Sequence, residues 1–467
     1  MNTPKVIAPQ EMVEQALARS AADGCVVIAS EHTEANLRWA ANSLTTNGRM
    51  QSRSVTVIST FDGPEGTSAG VVTRVVTTAA ELTELVSAAD GIGRAAAPAD
   101  DAAPLVDAYA NDDDWAADPI GTGGEMFESF APALGSAFTD WAKNDRLLFG
   151  FAEHQMTSTF LGTSTGLRRR FDQPDGRVEV NGKSADYARS AWTGAHSQDF
   201  ADFDIGAAAD ELEQRLEWAK TRIDLPAGRY ETILPPTAVA DLMIYAYWTA
   251  SARDAEEGRN VYSRSGGSTR IGERVADLPL TLRSDPSEDG LRCPAFEIVT
   301  QSDGSLQSVF DNGMPVSPAE WISDGTLQDL GRTRSWSART GVPARPLVGN
   351  LILELPGATT SVADMVASTE RGLLLTCLWY IREVDPQTLL LTGLTRDGVY
   401  LVENGQVTGA VNNFRFNESP IDLLRRATEA GASRPTMSRE WSDYFRRTAM
   451  SPLRIPDFNM STVSQAS

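Results

Sequence analysis

One serine of the sequence stands in the pattern expected of a hydrolytic nucleophile. Gly162-Thr163-Ser164-Thr165-Gly166 matches G-x-S-x-G, in which a sharp turn between a strand and a helix exposes the serine hydroxyl. The residues that follow are Leu167 and three arginines, which do not begin an apolar helix, and the only later histidine, His196, follows closely in sequence. These surroundings favour a turn at the end of a strand over a serine hydrolase.

The histidines limit the metal chemistry that the chain can perform. They are His32, His154 and His196, and no two of them are closer than 42 residues. A zinc peptidase usually places two histidines on one face of a helix beside a glutamate, so that one element supplies two ligands and the general base. The sequence has no such set, and each histidine is therefore interpreted as a structural or surface residue.

Three other clusters are more typical of solvated segments than of ligand sites. The run of aspartates at 112–114 lacks the glycine and the terminal glutamate of a calcium loop. The glycine-rich segments 121–124 and 266–272 lack the Lys-Ser/Thr of a phosphate-binding loop. The arginines at 168–170 are predicted to form the solvated face of a strand.

The composition argues against nucleic acid and membranes as partners. The 467 residues include 41 Lys and Arg against 63 Asp and Glu, and the net charge of -22 would repel a polyphosphate backbone. The apolar runs are shorter than the roughly 18 residues of a membrane span, and the polar residues 1–10 do not resemble a signal peptide. Three cysteines without a C-x-x-C pair are typical of a reducing compartment. We therefore expect a cytoplasmic protein.

The spacing of apolar residues and turns predicts an α+β fold with three domains. Residues 1–92 are expected to form an N-terminal α+β domain, in which Thr78 and Glu81 make a capping box before a helix. Residues 93–118 are rich in Ala, Pro and Asp and are predicted to be an acidic linker in which little is buried. Residues 119–224 are expected to form a middle α+β domain.

The third domain, residues 225–467, is predicted to be rich in antiparallel sheet, because turn signals recur there at short intervals. The clearest signal is Asn404-Gly405 within 399–410, which suits a type I′ hairpin since Asn and Gly tolerate positive φ. A helix with an apolar stripe is expected to follow Thr237 as its N-cap and to extend over 237–257.

Several segments resemble, in the same order along the chain, the TldD/PmbA (TldE) family of peptidases. They are residues 33–47, 164–167, 225–230, 351–357, Thr392-Gly393-Leu394-Thr395-Arg396-Asp397-Gly398 and 400–405. The resemblance implies cytoplasmic two-subunit peptidases in which one subunit carries His-Glu-x-x-x-His on a helix and a C-terminal cysteine as zinc ligands. The second subunit lacks these ligands and helps to shape an enclosed channel for unfolded peptides.

This chain departs from the zinc-binding pattern at both places. The matching helix, 237–257, contains no histidine, and no cysteine follows Cys377. The resemblance therefore implies the subunit without a metal site, with no cofactor of its own. Its expected partners are a zinc-bearing TldD-type homologue, which forms a heterodimer with it, and an unfolded peptide substrate.

A short amide-rich segment is the predicted contact with the substrate or the partner subunit. It comprises Asn412, Asn413, Phe414 and Arg415. So many amides are costly to bury unless they are paired, and an extended peptide that adds to a sheet edge would pair them. The alternative for the same residues is a polar loop that closes a hairpin.

Two other functions stay open at this point. A protein of the same fold could bind peptides or act as a scaffold without proteolysis, as a homo-oligomer. A gene for a zinc-bearing homologue beside this one would favour the two-subunit peptidase, and its absence would favour the scaffold. The third is an enzyme with an unrecognised site, which the small number of histidines makes the least favoured.

Overall fold

The computed structural model describes residues 7–464, so the first six residues of the polar segment considered above lie outside it. The helices are α1 (Pro9–Arg19), α2 (Ala79–Ala95), α3 (Phe130–Lys143), α4 (Ile205–Trp218), α5 (Pro236–Trp248), α6 (Ala252–Glu256), α7 (Arg334–Thr340), α8 (Val362–Ser368) and α9 (Pro420–Arg426), with 3-10 turns at Gly124–Phe127 and Val309–Asp311. No helix in this part of the chain is long and apolar enough to cross a membrane.

The first sheet is built from long antiparallel strands. They are β1 (Gly24–Ala40), β2 (Ser43–Gly63), β3 (Gly66–Arg74), β4 (Arg146–Thr163), β5 (Arg168–Ser184) and β6 (Ser190–Ser197), in the order β3-β2-β1-β4-β5-β6. Strand β4 pairs with β1 from Val26↔Thr163 to Trp39↔Gly150. The regions predicted as N-terminal and middle domains therefore share one sheet, and the domain boundaries stay predictions.

Alternation along β1 determines which elements cover each face of this sheet, because successive side chains of a strand point to opposite faces. The odd-numbered Cys25 and Val27 pack against α1 and α2, and the odd-numbered Leu37 and Trp39 pack against α3 and α4. The even-numbered Val26 faces the other side, where it joins apolar residues of the later chain. Both faces of the sheet are therefore covered.

The later strands form the β-rich region that the sequence predicts. They are β7 (Arg222–Ile223), β8 (Gly228–Leu234), β9 (Ser263–Arg264), β10 (Ser268–Thr269), β11 (Thr281–Ser284), β12 (Ala319–Ser323), β13 (Thr326–Leu327), β14 (Leu351–Glu354), β15 (Arg371–Leu375), β16 (Leu378–Asp385), β17 (Leu390–Thr395), β18 (Val399–Glu403), β19 (Gln406–Val411), β20 (Phe414–Glu418), β21 (Glu429–Ala430), β22 (Arg434–Thr436), β23 (Thr448–Met450) and β24 (Leu453–Val463).

These strands form a large sheet, a smaller one and a short pair. The large sheet has the order β16-β17-β20-β24-β8-β15-β18-β19-β7, with β21 paired to β24. The smaller sheet has the order β13-β12-β11-β14-β23-β22, and β9 pairs with β10. Most pairs are antiparallel, as predicted, and α5 lies in the hydrophobic core between the two larger sheets. The fold is therefore α+β.

Two local predictions are confirmed. Glu81 N donates to Thr78 Oγ1 at 3.3 Å and Thr78 N donates to Glu81 Oε2 at 3.0 Å, which completes the capping box of α2. Asn404 and Gly405 have φ angles of 50° and 78°, the left-handed conformation that a type I′ hairpin between β18 and β19 requires.

The helix predicted over 237–257 differs from the observed helix α5 at both ends. Helix α5 begins at Pro236, two residues earlier than a Thr237 cap allows, since proline at the first turn has a suitable φ and no amide hydrogen to leave unpaired. It ends at Trp248, and a separate short helix, α6, follows. Ser251 caps α6 by accepting a hydrogen bond from Asp254 N at 3.1 Å.

As predicted, little is buried between residues 93 and 118, and most of these residues are exposed. Residues 96–118 contain no helix or strand, yet Leu105 packs against the sheet face that bears Val26. Asp112 accepts hydrogen bonds from Arg169 Nε at 3.0 Å and from Arg170 N at 2.6 Å. The arginines predicted to be a solvated strand face are therefore covered by this acidic segment.

Candidate functional site

Helix α5 lies where the family resemblance places the zinc ligands of a catalytic subunit. Val239, Leu242 and Met243 are buried in the core between the two larger sheets. A helix that is apolar on all sides is normally a core helix. Asp241 is its one ionisable acid, and this residue is completely buried as well.

Asp241 is held by the loop that precedes β23. Its Oδ1 accepts a hydrogen bond from Glu440 N at 2.9 Å, and its backbone oxygen accepts one from Trp441 Nε1 at 2.8 Å. Within residues 7–464 its Oδ2 has no hydrogen-bond partner. Burial raises the pKa of Asp241 to about 8, because the charged form loses its hydration. The carboxyl group is therefore mostly protonated at neutral pH.

We expect the stability of the protein to decrease as Asp241 ionises. Folding raises the pKa from an ordinary value of 3.8, so this stabilisation is fully present below that pH and is lost as the pH rises through about 8. The D241N variant keeps the acceptor atom and cannot ionise. Its unfolding temperature should therefore rise by a few degrees relative to wild type between about pH 5 and about pH 9.

Calorimetry of wild type and D241N over this pH range measures the effect, with wild type as the reference.

 A difference that stays constant from acid to alkaline pH would show that Asp241 does not titrate in this window.

Arg439 lies between two tryptophan rings. Its Cζ is 4.8 Å from the ring centroid of Trp192 and 4.7 Å from that of Trp379. Its Nη1 contacts Cys377 Sγ, and its Nη2 is 3.4 Å from Asp397 Oδ2. Trp192 belongs to β6 of the first sheet and Trp379 to β16 of the large sheet, so this buried cation joins the two sheets. We call these five residues the Arg439 cluster.

Cys377 is an unreactive thiol in spite of its cationic neighbour. Burial raises its pKa to about 12, and this effect exceeds the lowering by Arg439. Cys25 and Cys293 are also buried and free, and burial raises the pKa of each to about 11. All three cysteines are therefore buried thiols.

The residues around α5 do not fit a zinc ion. A zinc site needs three or four converging ligands from His, Cys, Asp or Glu. The described part of the chain contains no group of three or more such side chains that could hold a metal. Asp241 is bonded to a backbone amide, and Cys377 contacts a guanidinium group. Burial raises the pKa of Asp241, and Arg439, which places a positive charge near this carboxyl, lowers it by a smaller amount.

A cleft of about 540 Å³ opens beside the Arg439 cluster and shares Asp397 with it. Ser190, on another wall of the cleft, donates a hydrogen bond to Asp397 Oδ1 at 2.5 Å. The cleft lies between the β5–β6 turn of the first sheet and the β17–β18 turn and β19–β20 connection of the large sheet. It is therefore a polar cleft at the junction of the two sheets.

The four predicted contact residues are separated by the fold. Asn412 and Asn413 line the cleft, and Asn412 Oδ1 accepts a hydrogen bond from Leu225 N at 2.7 Å. Phe414 is completely buried, whereas Arg415 is exposed, as the alternation of strand β20 requires. Their contact with a peptide or a partner stays a prediction.

The alternative prediction, that this amide-rich segment is a polar loop closing a hairpin, is wrong. Residues 412–413 connect β19 to β20, and these two strands are not neighbours in the large sheet. The connection instead crosses from the β18–β19 hairpin to the strands around β24, and it leaves both amides beside the cleft.

The histidines lie apart on the first sheet. His154 is buried, with Nδ1 2.7 Å from Thr122 Oγ1 and Nε2 2.7 Å from the Gln198 carbonyl oxygen. Burial lowers its pKa, and burial together with nearby arginines lowers the pKa of His196 to about 3. Both rings are therefore neutral near pH 7, and the structural interpretation of His154 is confirmed.

The G-x-S-x-G segment forms the turn between β4 and β5. Gly166 has a φ of 98°, which favours glycine, and Ser164 Oγ accepts a hydrogen bond from Cys25 N at 3.0 Å. A strand follows the serine where a nucleophile elbow has a helix. The prediction of a turn at a strand end is confirmed.

The Arg439 cluster has no counterpart in the sequence predictions. Trp192, Trp379 and Arg439 are distant along the chain and come together only through the packing of two sheets. Asp397 lies in the segment 392–398 that carries the family resemblance. A second signal is Asp241, an ionisable residue in an otherwise apolar helix, because such a residue is rarely buried without a partner.

Comparison with known proteins identifies the family. Residues 227–462 match the family described as the PmbA/TldA metallopeptidase C-terminal domain, and this match covers just over half of the 467 residues. The chain therefore belongs to the PmbA/TldD family, as the sequence resemblance indicates. A comparison with curated proteins finds no match.

Solved structures share the fold over nearly the whole chain. TldE from Thermococcus kodakarensis has a TM-score of 0.77 and 14% identity, with 96% of this chain and 99% of that chain covered. A proposed DNA gyrase modulator from Thermotoga maritima has a TM-score of 0.74 and 16% identity, with 96% and 99% covered. Another from Bacteroides thetaiotaomicron has a TM-score of 0.74 and 13% identity, with 97% and 98% covered. At these identities the likeness concerns the fold alone.

Proposed function

We propose that this chain is the zinc-free subunit of a cytoplasmic two-subunit peptidase that acts on unfolded peptides. The observation that carries the proposal is the environment of α5. Asp241 is bonded to the Glu440 amide, and Arg439 supplies a cation nearby. A member of a metallopeptidase family that has an arginine cluster at this place keeps the family fold without the family's metal chemistry. The metal would then reside in a TldD-type homologue.

The role of this subunit in the complex is to hold peptide near the catalytic subunit. The polar cleft supports this role, because it is lined by amide and charged side chains from two sheets. Such groups can pair with the backbone and side chains of an extended peptide. The alternative, a peptide-binding scaffold without proteolysis, differs in needing no zinc-bearing partner.

Copurification with the zinc-bearing homologue from the same cell tests the proposal. We expect the isolated chain to hold no stoichiometric zinc after dialysis, and the complex to hold about one zinc per heterodimer, as the partner's site requires. The two chains should elute together at micromolar concentration, since a stable interface buries more than about 1,000 Å². Gel filtration and elemental analysis measure both properties.

Two results would contradict this proposal. Close to one zinc per chain in the isolated protein would show that it has a metal site of its own. Separate elution of the two chains would favour the scaffold, and a homo-oligomer of this chain in the same experiment would support that alternative directly.

A further inference from the structure

The cleft beside the Arg439 cluster has an excess of positive side chains, although the whole chain has a net charge of -22. Its lining includes the basic residues Lys183, Arg189, Arg222 and Arg396 and the acidic residues Asp224 and Asp397. Clefts lined by one sign of charge concentrate ligands of the opposite sign. The local charge of the cleft therefore favours an anionic ligand, in contrast to the net charge of the whole protein.

Three of these cations, Lys183, Arg189 and Arg222, form no close ion pair with a described carboxylate, although Arg189 is near enough to Asp186 to help lower the pKa of that carboxyl. Arg222 Nη2 donates to the Ala188 carbonyl oxygen at 2.9 Å, and Arg189 Nη1 donates to that of Leu216 at 3.2 Å. Lys183 Nζ lies over two aromatic rings, at 5.3 Å and 5.7 Å from their centroids. Across residues 7–464, no carboxylate lies within ion-pair distance of these three side chains. They can therefore accept an anion without breaking an ion pair.

The fourth basic residue, Arg396, shares its acidic partner Asp397 with Arg439. Arg396 Nε is 3.6 Å from Asp397 Oδ2, and the same oxygen is 3.4 Å from Arg439 Nη2. One carboxylate therefore faces two guanidinium groups, and the charge of the cleft wall is not neutralised. Arg222 and Arg396 are both exposed at the cleft, where a ligand can reach them.

A neutral hydrogen-bond donor, Asn412, lines the cleft together with these basic side chains. Asn412 Nδ2 is buried and has no hydrogen-bond partner among the described residues. Its Oδ1 is already bonded to Leu225 N, so the orientation of the amide is fixed. A buried donor without a partner costs free energy unless a ligand satisfies it. Asn412 Nδ2 needs an acceptor oxygen, and an arginine side chain also donates to acceptor oxygens.

We infer that the cleft binds a carboxylate of an extended peptide, either an Asp or Glu side chain or the C-terminal carboxylate. A carboxylate offers two acceptor oxygens that match a guanidinium group, and it can also accept from an amide. The volume of about 540 Å³ is within the usual range of ligand pockets. This inference rests on the proposed peptide-holding function and adds the chemical class of the peptide.

Fluorescence anisotropy with labelled, unstructured ten-residue peptides tests the inference. One peptide has two central Glu and an amidated C-terminus, the second has Gln in their place, and the third has Gln and a free C-terminus. We expect the Glu peptide, the free-terminus peptide or both to bind at least about tenfold more tightly than the amidated Gln peptide, which is the effect of one hydrogen bond to a charged group. The comparison separates the two sources of carboxylate.

Two double variants locate the binding. R222Q/R396Q should weaken binding of the preferred peptide by about tenfold or more, because both arginines line the cleft. R49Q/R74Q removes the same charge from exposed positions of β2 and β3 and should leave binding within about twofold. Equal binding of all three peptides, or equal effects of the two double variants, would overturn the inference.

Assembly with the zinc-bearing homologue separates this inference from the proposed function. If the complex forms and cleaves peptides but shows no preference for carboxylates, the inference fails and the proposed function stands. If the chain binds acidic peptides at the cleft and forms no complex, the proposed two-subunit function fails.

Discussion

Replacing Arg439 by Ala should lower the free energy of unfolding by about 3–5 kcal/mol, the usual cost of breaking a buried ion pair by removing one partner. The side chain is 9% exposed and stacks on Trp192 and Trp379, so its loss removes packing from both rings. Among residues 7–464, Asp397 would then keep the more distant and exposed Arg396 as its ion-pair partner. Urea-induced unfolding measures the change.

A nearby exposed arginine provides the matched control. Arg382 is 64% exposed and pairs with Glu440 at 3.1 Å, so R382A should cost less than about 1 kcal/mol. R439M keeps much of the buried volume without the charge and should lie between wild type and R439A if the charge and the packing both contribute. Equal stability of R439A and R382A would show that the Arg439 cluster does not stabilise the junction of the two sheets.

Cleavage by the reconstituted complex should fall by at least about 100-fold with a chelator or after replacement of the zinc-bearing partner's catalytic glutamate. Under the proposed function, the partner supplies the activated water and the general base, and the loss of either normally costs orders of magnitude in rate. Substitution of His154 or His196 in this chain should leave the rate nearly unchanged. Single-turnover assays at saturating peptide measure both effects.

Glutamine is the suitable replacement for both histidines. His154 makes two buried hydrogen bonds, so an alanine would leave Thr122 and Gln198 without this partner and would reduce stability as well as test chemistry. Gel filtration before each assay confirms that the variant complex is assembled. A 100-fold loss in an assembled H154Q or H196Q complex would show that this chain contributes catalytic groups.

Local features could be predicted from the sequence because a few neighbouring residues determine them. Thr78 and Glu81 satisfy backbone amides of their own helix, and Asn404-Gly405 adopts positive φ within its own turn. The pairing of β4 with β1 depends on contacts between residues more than 100 positions apart, which no local pattern encodes. The partial packing of the acidic segment on the sheet is not predicted, because small apolar residues can cover a sheet without high hydropathy.

In the candidate site, too, some features could be predicted from the local sequence and others depend on tertiary contacts. The amides of Asn412 and Asn413 predict a contact, because an amide-rich segment needs hydrogen-bond partners. Both residues line the cleft, and their contact with a peptide or a partner stays a prediction. Phe414 belongs to the same segment but alternation directs it into the core, and the sequence alone does not give the register. The Arg439 cluster depends on the packing of β6 against the large sheet and is therefore a product of tertiary structure.

The Arg439 cluster also limits how this lineage can evolve. Loss of the arginine alone leaves Asp397 with a weaker partner and two tryptophans without the group between them, and loss of either tryptophan alone exposes a buried cation. Each single step away from the cluster thus passes through a less stable protein. A metal site at this place would require the cation to leave and several ligands to arrive together, so substitutions at these positions should be concerted.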